Sequence, residues 1–170
     1  MLPPFPEGTI TSFAPKTPHF FLSNFFSHSI SYEGLTYPTA EHAYQAAKSP
    51  DPDTRMSILR VGSAGQAKKL GGTIKCREDW PTVKYNIMRD ILDLKFAPGS
   101  PLEKRLWDTS DVYLIEGNYW HDTVWGQCFC HRHAWEGTNY LGQLLMSVRA
   151  SIQGGQYASQ QSGTGIEYPW

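Results

Sequence analysis

Three absences narrow the class of protein before any motif is considered. The chain has only three cysteines in 170 residues, an odd number that does not suit the disulfide framework of a small secreted scaffold. No long apolar run follows Met1, so neither a signal peptide nor a membrane span is predicted. The formal net charge of −1 gives no overall attraction for nucleic acid or membranes. We expect a cytoplasmic protein with neither a membrane partner nor an obligate protein partner.

Several catalytic signatures are also missing. The chain contains no phosphate-binding glycine loop, no GxGxxG after a strand, no HExxH and no GxSxG. Their absence weighs against the common nucleotide-binding folds, and we predict no cofactor.

Composition and periodicity predict a single α+β domain that is mainly helical, with a few short strands. Hydrophobic residues make up 40% of the chain and charged residues 18%, which are ordinary proportions for a globular domain. We expect the domain to cover residues 1–152. Residues 153–170 are rich in Gly, Ser and Gln, and we expect them to form a flexible tail. The patterns predict strands at 9–13, 20–26, 30–32, 35–37 and 112–116, and helices that begin at Pro38, Asp53, Ser63, Asp79, Ser100 and Tyr140.

The helix that begins at Pro38 carries an unusual polar face. Glu41, Gln45 and Lys48 recur at spacings of four and three residues, so they line one side of the helix, while alanines line another. Taken alone, Glu41 is more often a solvated acid that the helix dipole favours. Lys48 is equally compatible with a salt bridge to an acid.

Further polar and aromatic residues occur in an ordered series along the chain. The series comprises 21–26 (FLSNFF), 37–48 (YPTAEHAYQAAK), 67–71, Arg77 with Asp79, Trp80 and Lys84, then Lys95-Phe96, the strand at Glu116, 122–126 (DTVWG), Gly137, Asn139, Leu141-Gly142, 144–146 and Arg149. Over residues 20 to 150 this series resembles the NADAR superfamily, which includes YbiA-type N-glycosidases. The resemblance implies the NADAR fold.

The resemblance also implies an enzyme that hydrolyses the bond between C1 of a ribose and a nitrogen base. Substrates within the family are ribosylated aminouracil phosphates of riboflavin biosynthesis or ADP-ribose on guanine, so the partner is a small ribosylated base or an ADP-ribosylated nucleic acid. Breaking such a bond builds positive charge on the ribose, which a carboxylate stabilises. A non-catalytic module that binds NAD- or ADP-ribose-derived ligands is the alternative.

The family pattern places the catalytic acids at Glu41 and Asp122. We expect Glu41 to act as a base or charge stabiliser and Asp122 to hold a ribose hydroxyl or the attacking water, although Asp122 alone is equally typical of a turn. A second mechanism uses Lys48 as a nucleophile that forms a Schiff base with a ring-opened sugar. The residues expected to bind substrate are Asn24, Arg77, Trp80, Lys84, Trp125, Gly126 and Asn139. The two tryptophans are as typical of a core as of a base-stacking site, and Arg77 and Lys84, with Lys68, suit phosphate.

A short run near the C-terminal end of the series contains four residues that can ligate zinc. They are Cys128, Cys130, His131 and His133. Structural zinc usually takes ligand pairs separated by two to four residues in each arm, and one tight run cannot easily surround a tetrahedral ion without ligands from elsewhere. We therefore predict no metal and expect the run to shape substrate entry.

Overall fold

The computed structural model describes the backbone of residues 5–162 and the side chains of residues 5–155. Short strands and helices alternate irregularly around one core, which confirms the α+β class. In chain order the elements are β1 (Ser27–Tyr32), β2 (Leu35–Thr39), α1 (Ala40–Ala46), α2 (Pro52–Arg60), α3 (Ala64–Gly71), α4 (Trp80–Lys95), α5 (Glu103–Trp107), β3 (Gly117–Asn118), β4 (Gln127–Cys128) and α6 (Tyr140–Ser162).

The predicted hairpin at Glu33-Gly34 is confirmed and leads directly into α1. Glu33 and Gly34 have φ values of 46° and 81°, the left-handed conformation that a two-residue hairpin turn requires. β1 and β2 are antiparallel, with the buried Ile30 opposite the buried Tyr37. Thr39 ends β2, and its hydroxyl accepts a hydrogen bond from the His42 amide at 3.2 Å, so it caps α1.

Helix α4 lies at the centre of the packing and contacts α1, α6 and β1. Its buried stripe consists of Ile87, Met88, Ile91 and Leu92, followed by the fully buried Lys95. Leu94, near the end of the helix, is 43% exposed. The helix predicted to begin at Asp79 is confirmed, with Asp79 at the N-cap position.

Three predicted strands are not strands in the structure. Residues 20–26 form a 3₁₀ turn at Phe20–Leu22 followed by further turns. In 9–13 only Ile10 and in 112–116 only Leu114 takes part in strand pairing, and the two form one isolated parallel bridge with each other. Short apolar runs report burial more reliably than strand geometry, and Leu114 and Ile115 are indeed fully buried.

The helix ends differ from the predicted ones by a few residues. Asp51 rather than Asp53 caps α2, since its carboxylate accepts from the Thr54 amide at 2.8 Å. Ser63 caps α3 as predicted, but Gly72 ends that helix with a right-handed φ of −76° instead of a left-handed one.

At the C-terminal end, α6 passes the predicted limit of 152 and continues to Ser162, so its last turns occupy the first part of the predicted tail. The rest of that predicted tail, 163–170, lies outside the described residues. In the described part of the chain, no helix combines the length and the apolar character needed to cross a membrane.

Candidate active site

A cavity of about 740 Å³ opens between α1, α4 and the irregular segment that follows Ile115. Its volume lies in the range of small-molecule sites. Its wall contains three acids, three lysines and eight aromatic rings. They are Glu41, Glu116 and Asp122; Lys48, Lys68 and Lys84; and Phe13, Phe20, Phe25, Tyr44, Trp80, Tyr119, Trp120 and Trp125. The cavity thus brings together acid–base groups, cations for anionic groups of a ligand and flat faces for a heterocycle.

Glu41 lies in the first turn of α1, as predicted, and is only 6% exposed. Its backbone amide donates to the Asn24 carbonyl at 3.0 Å, and its Oε1 accepts from Gln45 Nε2 at 2.8 Å, one helical turn away. Burial raises the pKa of Glu41, against the opposing hydrogen bond from Gln45 and the charges of Lys68 and Lys48. The site therefore holds a carboxyl that takes up a proton more readily than a solvated glutamate.

Glu116 is the main residue that sequence reasoning missed, because it entered only as part of a predicted strand. Its Oε2 is buried without a hydrogen-bond partner among the described residues. Burial raises the pKa of Glu116 to about 7, and the charge of Asp122 adds to the rise. The available signal was the acid at the end of the apolar run 112–116, since an acid attached to a buried run has to lie in the core or in a cavity.

Asp122 is both a turn residue and part of the cavity wall. Its Oδ1 accepts from the amides of Val124 at 3.0 Å and Trp125 at 2.9 Å. Asn118 holds the backbone of Asp122 from the other side, with its Oδ1 accepting from the amide at 3.1 Å and its Nδ2 donating to the carbonyl at 2.7 Å. One carboxylate oxygen thus fixes the loop, and Oδ2 has no hydrogen bond among the described residues.

Lys48 lies just beyond the end of α1 and lines the cavity. Its Nζ donates to the Gly71 carbonyl at 3.0 Å, and burial lowers its pKa. Two other lysines reach the cavity from separate helices. Lys68 Nζ lies 5.9 Å from the ring centre of Phe25, and Lys84 Nζ lies 4.9 Å from that of Tyr85.

Trp80 and Trp125 both line the cavity and also pack against the core through Tyr44. The ring centres of Tyr44 and Trp80 are 5.1 Å apart, and those of Tyr44 and Trp125 are 5.4 Å apart. Sequence reasoning missed Tyr119 and Trp120, which lie at the rim and are 69% and 60% exposed. Exposed rings beside a cavity are typical of a ligand-contacting surface.

Asn24 lines the cavity as predicted, and its side-chain oxygen is buried without a hydrogen-bond partner among the described residues. Its Nδ2 donates to the Met88 sulfur at 3.4 Å, which fixes the orientation of the amide. A ligand N–H or O–H donor would satisfy the free oxygen.

Arg77 does not line the cavity. Its guanidinium pairs with Asp79 through two hydrogen bonds, of which Nη2 to Oδ2 measures 2.8 Å. Asp79 occupies the N-cap position of α4 without capping it, because its carboxylate is engaged by this pair. In the structure the Arg77 guanidinium forms a surface ion pair outside the cavity, and the phosphate contact stays a prediction.

Gly126 and Asn139 also lie outside the cavity wall, in the layer that supports Glu116. A Cβ on Gly126 would collide with the Glu116 carbonyl. The Asn139 side chain is buried, donates to the Leu114 carbonyl at 2.9 Å and accepts from the Glu116 amide at 3.0 Å. Both residues therefore lie behind Glu116, and their role in substrate binding stays a prediction.

Beside the cavity, four side chains of the kind that bind metals converge. The ligand atoms of His121, Cys128, Cys130 and His133 all lie within 4.8 Å of one another. Of the run singled out in the sequence, His131 alone is outside this cluster, and His121 replaces it.

A family model for the NADAR domain matches residues 12–153. The chain belongs to the NADAR family. N-glycosidase YbiA of Escherichia coli is 36% identical to this NADAR chain over 132 residues, which cover 76% of the chain and 79% of YbiA. An N-glycosidase of Nostoc punctiforme is 35% identical over 150 residues, which cover 85% of the chain and 93% of that relative.

A riboflavin biosynthesis protein of Vibrio vulnificus is 35% identical to the NADAR chain over 149 residues, 86% of the chain but only 39% of that longer protein. The NMR structure of E. coli YbiA superposes with a TM-score of 0.72 at 31% identity and covers 95% of this chain and 92% of the YbiA chain. These relatives confirm the predicted family, the fold and the enzyme class, a hydrolase of N-glycosyl bonds.

Proposed function

We propose that this NADAR protein cleaves the bond between ribose C1 and the nitrogen of a ribosylated base, with Glu41, Glu116 and Asp122 as the reacting acids. The observation that carries the proposal is that these three carboxyls share one cavity while burial raises the pKa of two of them. Neighbouring carboxyls in different environments can take up opposite roles as acid and base. The cytoplasmic location predicted from the cysteine content is part of this proposal.

Each acid has a role that follows from its surroundings. With a pKa of about 7, Glu116 holds a proton near neutral pH and donates it to the departing base nitrogen. Positive charge then develops on the ribose, and Glu41 in its ionised form stabilises it and accepts a proton from the attacking water. Asp122 holds a ribose hydroxyl or the water through its free Oδ2. The net reaction adds water across the C1–N bond. The proton on Glu41 then returns to solvent, and Glu116 takes up a proton from solvent, which restores the starting state.

The remaining residues of the cavity favour a substrate with a phosphate and a flat base. Lys48, Lys68 and Lys84 supply cations for phosphate, and Trp80 and Trp125 supply ring faces. Ribosylated aminouracil phosphates and ADP-ribose on guanine both have these parts. The name of the Vibrio relative, a riboflavin biosynthesis protein, supports the first class.

The test is release of a free base from either substrate class. The purified chain is incubated with a ribosylaminouracil phosphate and, separately, with an oligonucleotide that carries ADP-ribosyl guanine, and the free base is measured by mass spectrometry. We expect release from the aminouracil substrate. Release from the oligonucleotide alone would overturn the proposed substrate class, but the proposal that the C1–N bond is cleaved would stand. Binding of both without release would contradict hydrolysis and favour the non-catalytic binding module.

A covalent route through Lys48 is the competing mechanism, because this lysine lies in the cavity wall and burial lowers its pKa. Under direct hydrolysis, borohydride traps no adduct during turnover, and Lys48→Met lowers activity only by weakening substrate binding. A mass increase at Lys48 after borohydride treatment would establish the Schiff base instead.

A further inference from the structure

We propose that His121, Cys128, Cys130 and His133 form a structural zinc site beside the cavity. All four ligand atoms lie within 4.8 Å of one another, and they belong to residues that ligate zinc in many proteins. This inference does not depend on the reaction that the cavity carries out, and it replaces the prediction of no metal.

Four of the six distances between the ligand atoms are close to those around a tetrahedral ion, and the other two are below 4.8 Å. His121 Nδ1 lies 3.4 Å from Cys130 Sγ, 3.9 Å from Cys128 Sγ and 3.2 Å from His133 Nδ1. Cys130 Sγ lies 3.3 Å from His133 Nδ1. Zinc–sulfur and zinc–nitrogen bonds of ordinary length, arranged tetrahedrally, separate neighbouring ligand atoms by about 3.3 to 3.8 Å.

Hydrogen bonds alone do not account for this arrangement. His121 Nδ1 approaches three polar atoms at once, on Cys128, Cys130 and His133. A ring nitrogen offers either one N–H or one lone pair, so it cannot serve three partners as donor or acceptor. A single cation at the centre of the four atoms satisfies each of them.

The fold supplies the ligand that the cysteine–histidine run lacks. β3 and β4 pair in parallel, with Asn118 opposite Cys128, and this pairing returns the chain so that His121 faces the run. At the other end, the His133 amide donates to the Cys130 carbonyl at 3.2 Å, a tight turn that places both side chains on one side. The objection drawn from sequence spacing therefore does not apply to the folded chain.

The ligand set favours zinc and a structural role. Two thiolates and two imidazoles form a soft S₂N₂ set of the kind that selects zinc, and two thiolates neutralise its charge. Four protein ligands leave no open position for water or substrate, unlike a catalytic zinc site.

The site is connected to the cavity through His121, which directly precedes Asp122. The segment from Tyr119 to Trp125 contributes four residues to the cavity wall yet contains no helix or strand. Zinc at His121 would fix one end of this segment, while Asn118 holds the backbone of Asp122. Metal binding thus stabilises one wall of the cavity without touching the substrate.

Metal analysis of the full chain, purified without chelators, tests the site. We expect one zinc ion per chain by inductively coupled plasma mass spectrometry, and loss of that zinc in Cys130→Ser and His133→Asn. Cys76→Ser and His131→Ala are matched controls, because Cys76 is a free, exposed cysteine and His131 lies beside the cluster without joining it. Both controls are expected to keep full zinc content.

Cobalt titration of the stripped protein covers the case in which the ion is lost during purification. We expect the visible bands of tetrahedral cobalt with a thiolate charge-transfer band, both removed by added zinc and absent in Cys130→Ser. Chelator is expected to lower the melting temperature of the wild type and of Cys76→Ser but not of Cys130→Ser. No zinc after purification together with no cobalt bands, or a stable disulfide between Cys128 and Cys130, would overturn the proposal.

Discussion

Two walls of the cavity are held in place by different interactions. The helix wall consists of Glu41 and Gln45 on α1, backed by Gly71 of α3; the loop wall consists of residues 116–125. On the helix wall, backbone hydrogen bonds of α1 and the buried residues around it fix each side chain. On the loop wall, Asn118 and Asn139 take the place of a regular backbone ladder.

This difference has a consequence for mutation. On the helix wall a conservative change removes one chemical group and leaves the scaffold, because the helix does not depend on that side chain. On the loop wall the side chains that shape the backbone are themselves close to the chemistry, so the same change risks moving several groups. Substitutions that preserve hydrogen bonds therefore separate chemistry from architecture.

The largest effect on the loop wall is expected from Asp122→Asn. Asparagine keeps an oxygen for the amides of Val124 and Trp125, so the turn is retained while the negative charge is lost. We expect the rate of base release to fall about 1000-fold, in the middle of the range for catalytic carboxyl groups. Asp111→Asn, at an exposed position, is the control. An unchanged melting temperature with less than a tenfold loss of rate would show that Asp122 serves only the turn.

Removing the acid at Glu116 is expected to have the next largest effect. Glu116→Gln cannot donate a proton, so kcat falls about 100-fold. In the wild type, kcat/KM decreases as the pH rises through about 7, where Glu116 loses its proton. The variant lacks this decrease. A wild-type profile that stays flat through this region would contradict the role of Glu116 as the acid.

The same group gives a stability readout that does not require substrate. Burial raises the pKa of Glu116 from 4.5 to about 7, so the folded state holds a proton that the unfolded state releases across this interval. The contribution of Glu116 to the free energy of unfolding therefore decreases as the pH rises from 4.5 to about 7. Glu116→Gln flattens this slope in urea unfolding. An identical slope in both proteins would contradict the raised pKa.

A smaller effect is expected behind the helix wall. A Cβ on Gly71 would collide with the side chain of Gln45, which holds Glu41. Gly71→Ala therefore displaces Gln45, and we expect a loss of activity of about tenfold. Gly65→Ala in the same helix is the matched control, because a Cβ there meets nothing within 4 Å. Equal activities of the two variants would show that Glu41 tolerates movement of Gln45.

The smallest effect is expected from Arg77→Ala. The Arg77 guanidinium is engaged by Asp79 at the surface and does not line the cavity. We expect KM to change by less than about twofold, since exposed ion pairs contribute little. Lys68→Ala, which removes a cation from the cavity wall, is expected to raise KM more. A larger rise in KM for Arg77→Ala than for Lys68→Ala would instead support Arg77 as a substrate-binding residue.

The helix wall was largely predictable from the sequence. The spacing of Glu41, Gln45 and Lys48 defines one face of a helix without any tertiary information. The hairpin that precedes α1 was also predictable from local sequence, because Glu33 and Gly34 form a two-residue turn between the two strands. Lys48 differs from this prediction only because it lies just beyond the end of α1.

The loop wall was not predictable in the same way, because the contacts that hold its two ends join residues far apart in the chain. Glu116 is held by Asn139, 23 residues later. His121 reaches the cysteine–histidine cluster only because two short strands pair in parallel. Family resemblance singled out Asp122, Gly126 and Asn139 alike, although only Asp122 lines the cavity, since motif positions do not distinguish residues that line a cavity from those that support its wall.

The most direct test of the account is a time course of base release by wild type, Glu41→Gln and Glu78→Gln, with folding checked by circular dichroism. Glu41 is buried in the cavity wall, whereas Glu78 is exposed. We expect Glu78→Gln to match the wild type and Glu41→Gln to release base about 1000-fold more slowly while remaining folded. Full activity in a folded Glu41→Gln protein would contradict the assignment of this cavity as the site of N-glycosyl bond cleavage.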